Sequence, residues 1–349
     1  MDSLPSEGEV AADRVFCAGV SPGMPPPSSQ VSPRLHALDR GVGFSERGIF
    51  DFDHIEVWGP ELRRELSDAI PKDISHAIAS GKPKLIEDAR DILLSKVDQT
   101  AVLRLVINWL KIQTIFAYHG SRLTVEEIVD VRRDGLRLLR AADREQRLRT
   151  ILSAHRRWPT VERSLIEVVD AYGVNWLQNN SGRREGSVHA TISRSSLIKS
   201  FNHYLKYGSE FDQVVSRRLL GDEGVELLGG YGSSVIFKIA VPGAVAFHAA
   251  NSYLRELPLG LPNLVRELLD AWAYWLANPT FSTQTLDIDC GLKFSANVPT
   301  AWIIDCEQVA DLHITPAAPV PTVELACPIH GLSRRPRDQS AVGSHHCRA

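Results

Sequence analysis

The tetrapeptide Tyr118-His119-Gly120-Ser121 closes an apolar run, QTIFAYH, and a helix-like segment follows at once. An imidazole at such a junction can hydrogen-bond a ligand, or it can simply mark where a strand ends. Further on, "NHYLKYGSEF" brings Tyr204, Tyr207 and Glu210 into one short stretch. Core packing on one helical face is the simplest account of the two tyrosines. Glu210 and Lys206 have the spacing of an exposed helical ion pair. His189, in a second β-like run, reads most simply as structural. No GxGxxG, Walker loop, HExxH or GxSxG in its proper context is present. The glycines of LLGGYGSS precede a strand rather than follow one, which is the wrong order for a phosphate cradle and reads as a hairpin or loop. Cys327-x-x-His330 and His345-His346-Cys347 have zinc-ligating chemistry. They lie in a tail poor in apolar residues, and no metal is expected.

The elements that must position these residues divide into a helical part and a mixed part. PKLIEDARDILLSKVDQ sets Leu85, Ala89, Ile92, Leu93 and Val97 on one helical face, and TAVLRLVINWLKI follows as a second helix. After the strand at His119, Thr124 and Glu127 form a capping-box pattern that opens a helix, with Gly135 placed to stop it. Residues 141–172 read as two charged helices. GSVHATIS is a short strand, and SSLIKSFNHYLKYGSEFDQVVSRRLL is helical by period, with Gly208 weakening its middle. SVIFKIAVPGAVAF holds the clearest strand, stopped by Pro242-Gly243. LPNLVRELLDAWAYWLANP is a helix whose Trp272, Tyr274 and Trp275 belong to a core, and GLKFSANVPTAWIIDCEQV reads as two strands around a Val-Pro turn. Short strands interleaved with helices favour a mixed α+β domain over a doubly wound parallel sheet.

Residues 1–47 and 316–349 are rich in Pro, Ser and Gly and read as disordered tails. Between them, 48–111 is a helical N-terminal region and 112–315 a second domain carrying the helical insertion 141–172. The chain has 349 residues, 44% of them hydrophobic, and a net charge of -3, so no basic field advertises nucleic acid. Five scattered cysteines form no disulfide framework, which points to a reducing, cytoplasmic setting. The N-terminus has no apolar core of a secretory signal. No window reaches the roughly 18 apolar residues of a spanning helix, so no membrane partner is expected.

The ordered set of Tyr-His-Gly-Ser strand, capped helix running to Asp-Gly-Leu, VHAT strand, helix with Ser and Tyr, and late GLKFSANVPTAWI pair resembles the ADP-ribosyltransferase superfamily of His-Tyr-Glu type. The VHAT strand and the late pair are also similar to RNA 2'-phosphotransferases. The resemblance covers roughly 112–310. It implies a split β-sheet core and NAD as substrate, with ADP-ribose passed to an unidentified protein or nucleic acid acceptor. By the resemblance, His119 would bond a ribose hydroxyl and Gly120 would admit the nicotinamide amide, flanked by Tyr118 and Ser121. Tyr204 or Tyr207 would stack on nicotinamide, and Ser195 opens their helix. One carboxylate would orient the ribose and stabilise an oxocarbenium-like state; Glu210, Glu267 and Asp289 are the candidates. Glu210 lies early for the family topology, Glu267 is not clearly at a strand start, and Asp289 lies closer to one. A non-catalytic binding module of the same fold, or a 2'-phosphotransferase-like enzyme, is the alternative.

Overall fold

The computed structural model describes residues 48–173, 186–250, 263–288 and 290–309. A short strand, β1 (Ile49–Phe50), leads into four helices, α1 (Ile55–Glu65), α2 (Ile74–Ser80), α3 (Ile86–Ser95) and α4 (Gln99–Ile112). Strand β2 (Thr114–Leu123) follows, then α5 (Val125–Asp134). The charged segment forms α6 (Ala141–Leu152), a short α7 (Trp158–Val161) and α8 (Leu165–Gly173), with a 3-10 turn before the last. Next come β3 (Val188–Thr191), α9 (Arg194–Lys199), α10 (His203–Tyr207), α11 (Glu210–Leu220) and α12 (Asp222–Gly229). The chain then makes β4 (Ser233–Pro242), α13 (Gly243–Ala250), α14 (Asn263–Ala277), β5 (Gly291–Phe294) and β6 (Ile303–Gln308).

The strands form one sheet in the order β5-β3-β2-β4-β6, antiparallel throughout, with β1 added in parallel beside β2. The protein is therefore an α+β fold. β2 and β4 pair along their whole length, from Thr114↔Pro242 to Leu123↔Ser233. The opposite edge of β2 is used only briefly. It pairs with β1 at Thr114 and Ile115 and with β3 at the single position Tyr118↔Thr191. Beyond Tyr118 the two strands part, and the sheet opens between them.

Alternation along β2 and β4 divides the packing. Ile115, Ala117, Phe237 and Ile239 face a large core that also holds Trp58, Leu93, Trp109, Leu268 and Leu292. Helices from 48–111 and strands from the later segment thus share one core. On the other face, Tyr118 and Ile236 pack under Leu197 and Leu205 of α9 and α10. A second cluster, built on Leu148, Leu152, Leu165 and Val215, joins α6 and α8 to α11. Arg144 of α6 grips Asp212 of α11 through both carboxylate oxygens, and Arg147 pairs with Glu127 of α5.

Several local expectations hold. Thr124 and Glu127 make the reciprocal capping box, and Gly135, at φ +83°, ends α5. β4 stops at Pro242, and Trp272 is fully buried with its indole N–H on the Gly59 carbonyl at 3.0 Å. Others are corrected. Leu85 caps α3 and is exposed rather than on its buried face. LLGGYGSS is not all loop, because its first residues finish α12. The two strands on either side of Val298-Pro299 form as expected, and they sit at opposite edges of the sheet. The single helix expected over 195–220 is three helices, and the second break is at Gly208, which takes φ +78° and ψ -147°, a region essentially closed to side-chain-bearing residues.

That break has a measurable consequence. A Cβ at Gly208 meets only ordinary contacts around Arg122, so the backbone conformation alone sets the penalty. Gly208→Ala is expected to lose about 1–3 kcal/mol of stability in urea unfolding. A loss below a few tenths would show that the turn is not constrained.

Candidate functional site

The opening between β2 and β3 holds a cavity of about 690 Å³. Residues of β2 and β3 form its floor, α5 and the start of α6 one wall, and α10 with the start of α11 the other. Its size suits an organic ligand rather than a lone ion. Among the described residues, no group of His, Cys, Asp and Glu is arranged to hold a metal, and no helix is long and apolar enough to cross a membrane.

His119 stands inside strand β2, not at its end. Its Nδ1 lies 2.6 Å from the carbonyl oxygen of His189 on β3. A carbonyl can only accept, so Nδ1 carries the proton and Nε2 is the acceptor nitrogen of a neutral ring. The imidazole pKa lies below its ordinary value because burial disfavours the cation; the His189 carbonyl pulls the other way and is outweighed. Gly120 and Ser121 also line the cavity. The closest demand on Gly120 is nevertheless helix packing. A Cβ there would lie 2.9 Å from Leu197, and Leu205 closes the same space.

Tyr118 lies in the floor, and its hydroxyl is committed elsewhere. It donates to Asp51 Oδ2 at 2.8 Å, and Lys238 Nζ lies 3.2 Å from the same oxygen. Burial first, and then the Asp51 charge, hold the Tyr118 proton far more tightly than usual.

The opposite wall brings together residues that a continuous helix would separate. Tyr204 and Glu210 are six positions apart, about 600° of rotation at 100° per residue, which would set them well around the helix from each other. The break at Gly208 interrupts that helical path. The Tyr204 hydroxyl donates to Glu210 Oε1, and both residues line the cavity. Ser209 caps α11, its Oγ accepting from the Asp212 N–H at 3.1 Å, so Glu210 is the first residue of that helix. A carboxylate is favoured there by the helix dipole. The expected pair of Glu210 with Lys206 does not form; Lys206 Nζ lies 4.7 Å from the centre of the Tyr207 ring.

The remaining candidates lie elsewhere. The Tyr207 hydroxyl donates to Glu226 at 2.7 Å, and its ring packs on the second cluster. Ser195 opens α9 with its N–H and hydroxyl on Asp53. Glu267 is buried on α14 beside Arg266, 2.6 Å away, and does not line the cavity. Asp289 and the Cys327, His330, His345, His346 and Cys347 set lie outside the described residues. His189, read as structural, also lines the cavity, with its Nε2 3.1 Å from the Ser187 hydroxyl.

Two contributors escape a motif reading. His203 lines the cavity beside Tyr204, the two ring centres 4.1 Å apart. Arg137, Arg140 and Arg144 reach the cavity from the segment between α5 and α6. Arg137 is paired with Asp134 and Arg144 with Asp212, while Arg140 is exposed and has no ion pair among the described residues. The usable signal was Gly208-Ser209, a helix stop followed by an N-cap.

The state of His119 gives a pH test. Below the ordinary imidazole value of 6.5, the unfolded chain takes a proton that the folded ring resists. Stability contributed at this site is therefore lost as pH falls through that range. His119→Gln should show a smaller drop in melting temperature than the native chain between about pH 7.5 and about pH 5.5. Equal drops in the two proteins would refute a neutral, buried His119. Comparison with protein-family models, with curated proteins and with solved structures finds no match for this chain.

Proposed function

We propose that the chain binds NAD in the cavity between β2 and β3 and transfers its ADP-ribose to a macromolecular acceptor. One observation carries this reading: His119, Tyr204 and Glu210, from three different elements, line the same cavity. The resemblance of the Tyr-His-Gly-Ser strand to ADP-ribosyltransferases gives each a part. His119, neutral and with Nε2 as acceptor, takes a hydrogen bond from a ribose hydroxyl. The His203 ring packs against the Tyr204 ring, and the Tyr204 ring stacks on nicotinamide. Arg140 offers its charge to the diphosphate. Glu210 orients the ribose and stabilises the positive charge that develops at the anomeric carbon. The glycosidic bond to the nicotinamide nitrogen breaks and nicotinamide leaves with the bonding electrons. The acceptor nucleophile then bonds to that carbon and gives up its proton.

A second reading, ligand binding without transfer, is favoured by the position of the acid. Glu210 sits at a helix start, whereas the resemblance implies a carboxylate beside a late strand. Asp305 and Glu307 of β6 line a separate, smaller cavity with Asp51 and Lys238. The 2'-phosphotransferase reading is weaker, since two of the three arginines at the cavity are already paired with carboxylates.

Calorimetry with NAD and labelling of a lysate with radioactive NAD separate these readings. His119→Ala and Tyr204→Ala should weaken NAD binding about tenfold or more. Glu210→Gln should retain binding while labelling falls about a hundredfold or more. Binding by the native chain without any labelling would favour the binding module. Absence of NAD binding by the native chain would sink both the transferase reading and an NAD-binding module.

A further inference from the structure

His203 opens α10 and lines the cavity, and its packing against the Tyr204 ring leaves the ring nitrogens without a role. Its side chain is only 15% exposed, and its Nε2 lies 3.5 Å from Glu210 Oε1. That is the oxygen that already accepts the Tyr204 hydroxyl. In this conformation the buried Nε2 makes no hydrogen bond. A ring nitrogen withdrawn from water is disfavoured until it finds a partner. Glu210 Oε1 needs to approach by less than about 1 Å to reach the usual N–H···O range. Catalytic hydrogen bonds are commonly long before substrate binds and tighten when it fills the site. The neighbouring ring constrains how this happens. Tyr204 and His203 are adjacent in sequence and their rings are tilted by only 37°, so a shift of one moves the other.

We propose that His203 is a positioning residue for Glu210: its Nε2–H closes on Oε1 as the cavity fills and holds the carboxylate while the Tyr204 ring engages the substrate. This rests on the transferase reading of the cavity. It goes beyond the His119, Tyr204 and Glu210 set by giving the acid a second, movable anchor. His203 acts through Glu210 and does not itself meet the reacting carbon. A histidine serving only as packing would be replaceable by a ring of similar shape. One serving as a donor would be replaceable by a side-chain amide.

The test compares His203→Phe with His203→Gln in the full chain. His203→Phe should bind NAD within about twofold of the native protein while kcat falls about tenfold or more. His203→Gln, which restores an N–H donor, should recover most of that loss. Nitrogen-15 NMR of the histidine rings should place the His203 proton on Nε2, and the signal should shift in Glu210→Ala. His203→Phe turning over at the native rate, or a His203 proton on Nδ1, would overturn the proposal. If the native chain consumes no NAD, the transferase reading falls by itself. The NMR result then decides the contact: a proton on Nε2 that responds to Glu210 supports the anchor, and a proton on Nδ1 removes it.

Discussion

The hydrogen bond from His119 Nδ1 to the His189 carbonyl, at 2.6 Å, is the contact on which the rest of the site depends. Two antiparallel strands that part after one paired position leave backbone groups without ladder partners. Such groups are costly if buried unpaired. Had β3 continued to zip along β2, the edge from His119 to Leu123 would be filled and no cavity would exist. Had the strands drifted apart, nothing would set the width of the gap. A side chain reaching from one strand to the carbonyl of the other fixes that width. It also fixes the tautomer of the ring and therefore the chemistry that its other nitrogen offers.

The opposite wall is set by a backbone constraint rather than a side chain. Gly208 interrupts the helix, and Ser209 immediately restarts one, so Glu210 arrives at a helix N-terminus facing Tyr204. Removing the break would turn one of these residues away from the cavity. A glycine that looks like a weakness in a helical period is the hinge that makes the pair. Gly120 has the opposite character. Its missing side chain is demanded by Leu197 and Leu205 pressing on the sheet, so its place in the motif has a packing reason whatever binds nearby.

Features governed by neighbours in sequence were legible. The Thr124–Glu127 box, the Gly135 stop, β4 ending at Pro242 and the apolar stripe of α14 all follow from local chemistry. Features governed by strand partners were not. QTIFAYH gave no sign that β2 runs on to Leu123, because Gly120, Ser121 and Arg122 are poor strand formers held there by pairing with β4. The separation of β5 from β6 to opposite edges is likewise a tertiary choice that a Val-Pro turn cannot announce. The same limit applied to the acid. Glu210 was placed among the candidates by proximity to the tyrosines, but only the break at Gly208 brings its carboxylate to Tyr204.

The charged segment 141–172 reaches the cavity as well. α6 enters at the cavity with Arg140 and Arg144. Arg144 holds both oxygens of Asp212, which is nearly fully buried two residues beyond Glu210. Burial works against the Arg144 charge, but the Asp212 carboxylate outweighs it and the guanidinium stays firmly protonated. Arg147 joins the same helix to Glu127 and to the Arg122 carbonyl on β2. Buried ion pairs of this kind add little net stability against an apolar replacement, yet breaking one side is costly. Their effect here is geometric: α5, α6 and α11 are tied around one mouth. The first turn of α11, and with it the Glu210 carboxylate, is held by an arginine from the segment that the fold could otherwise have done without.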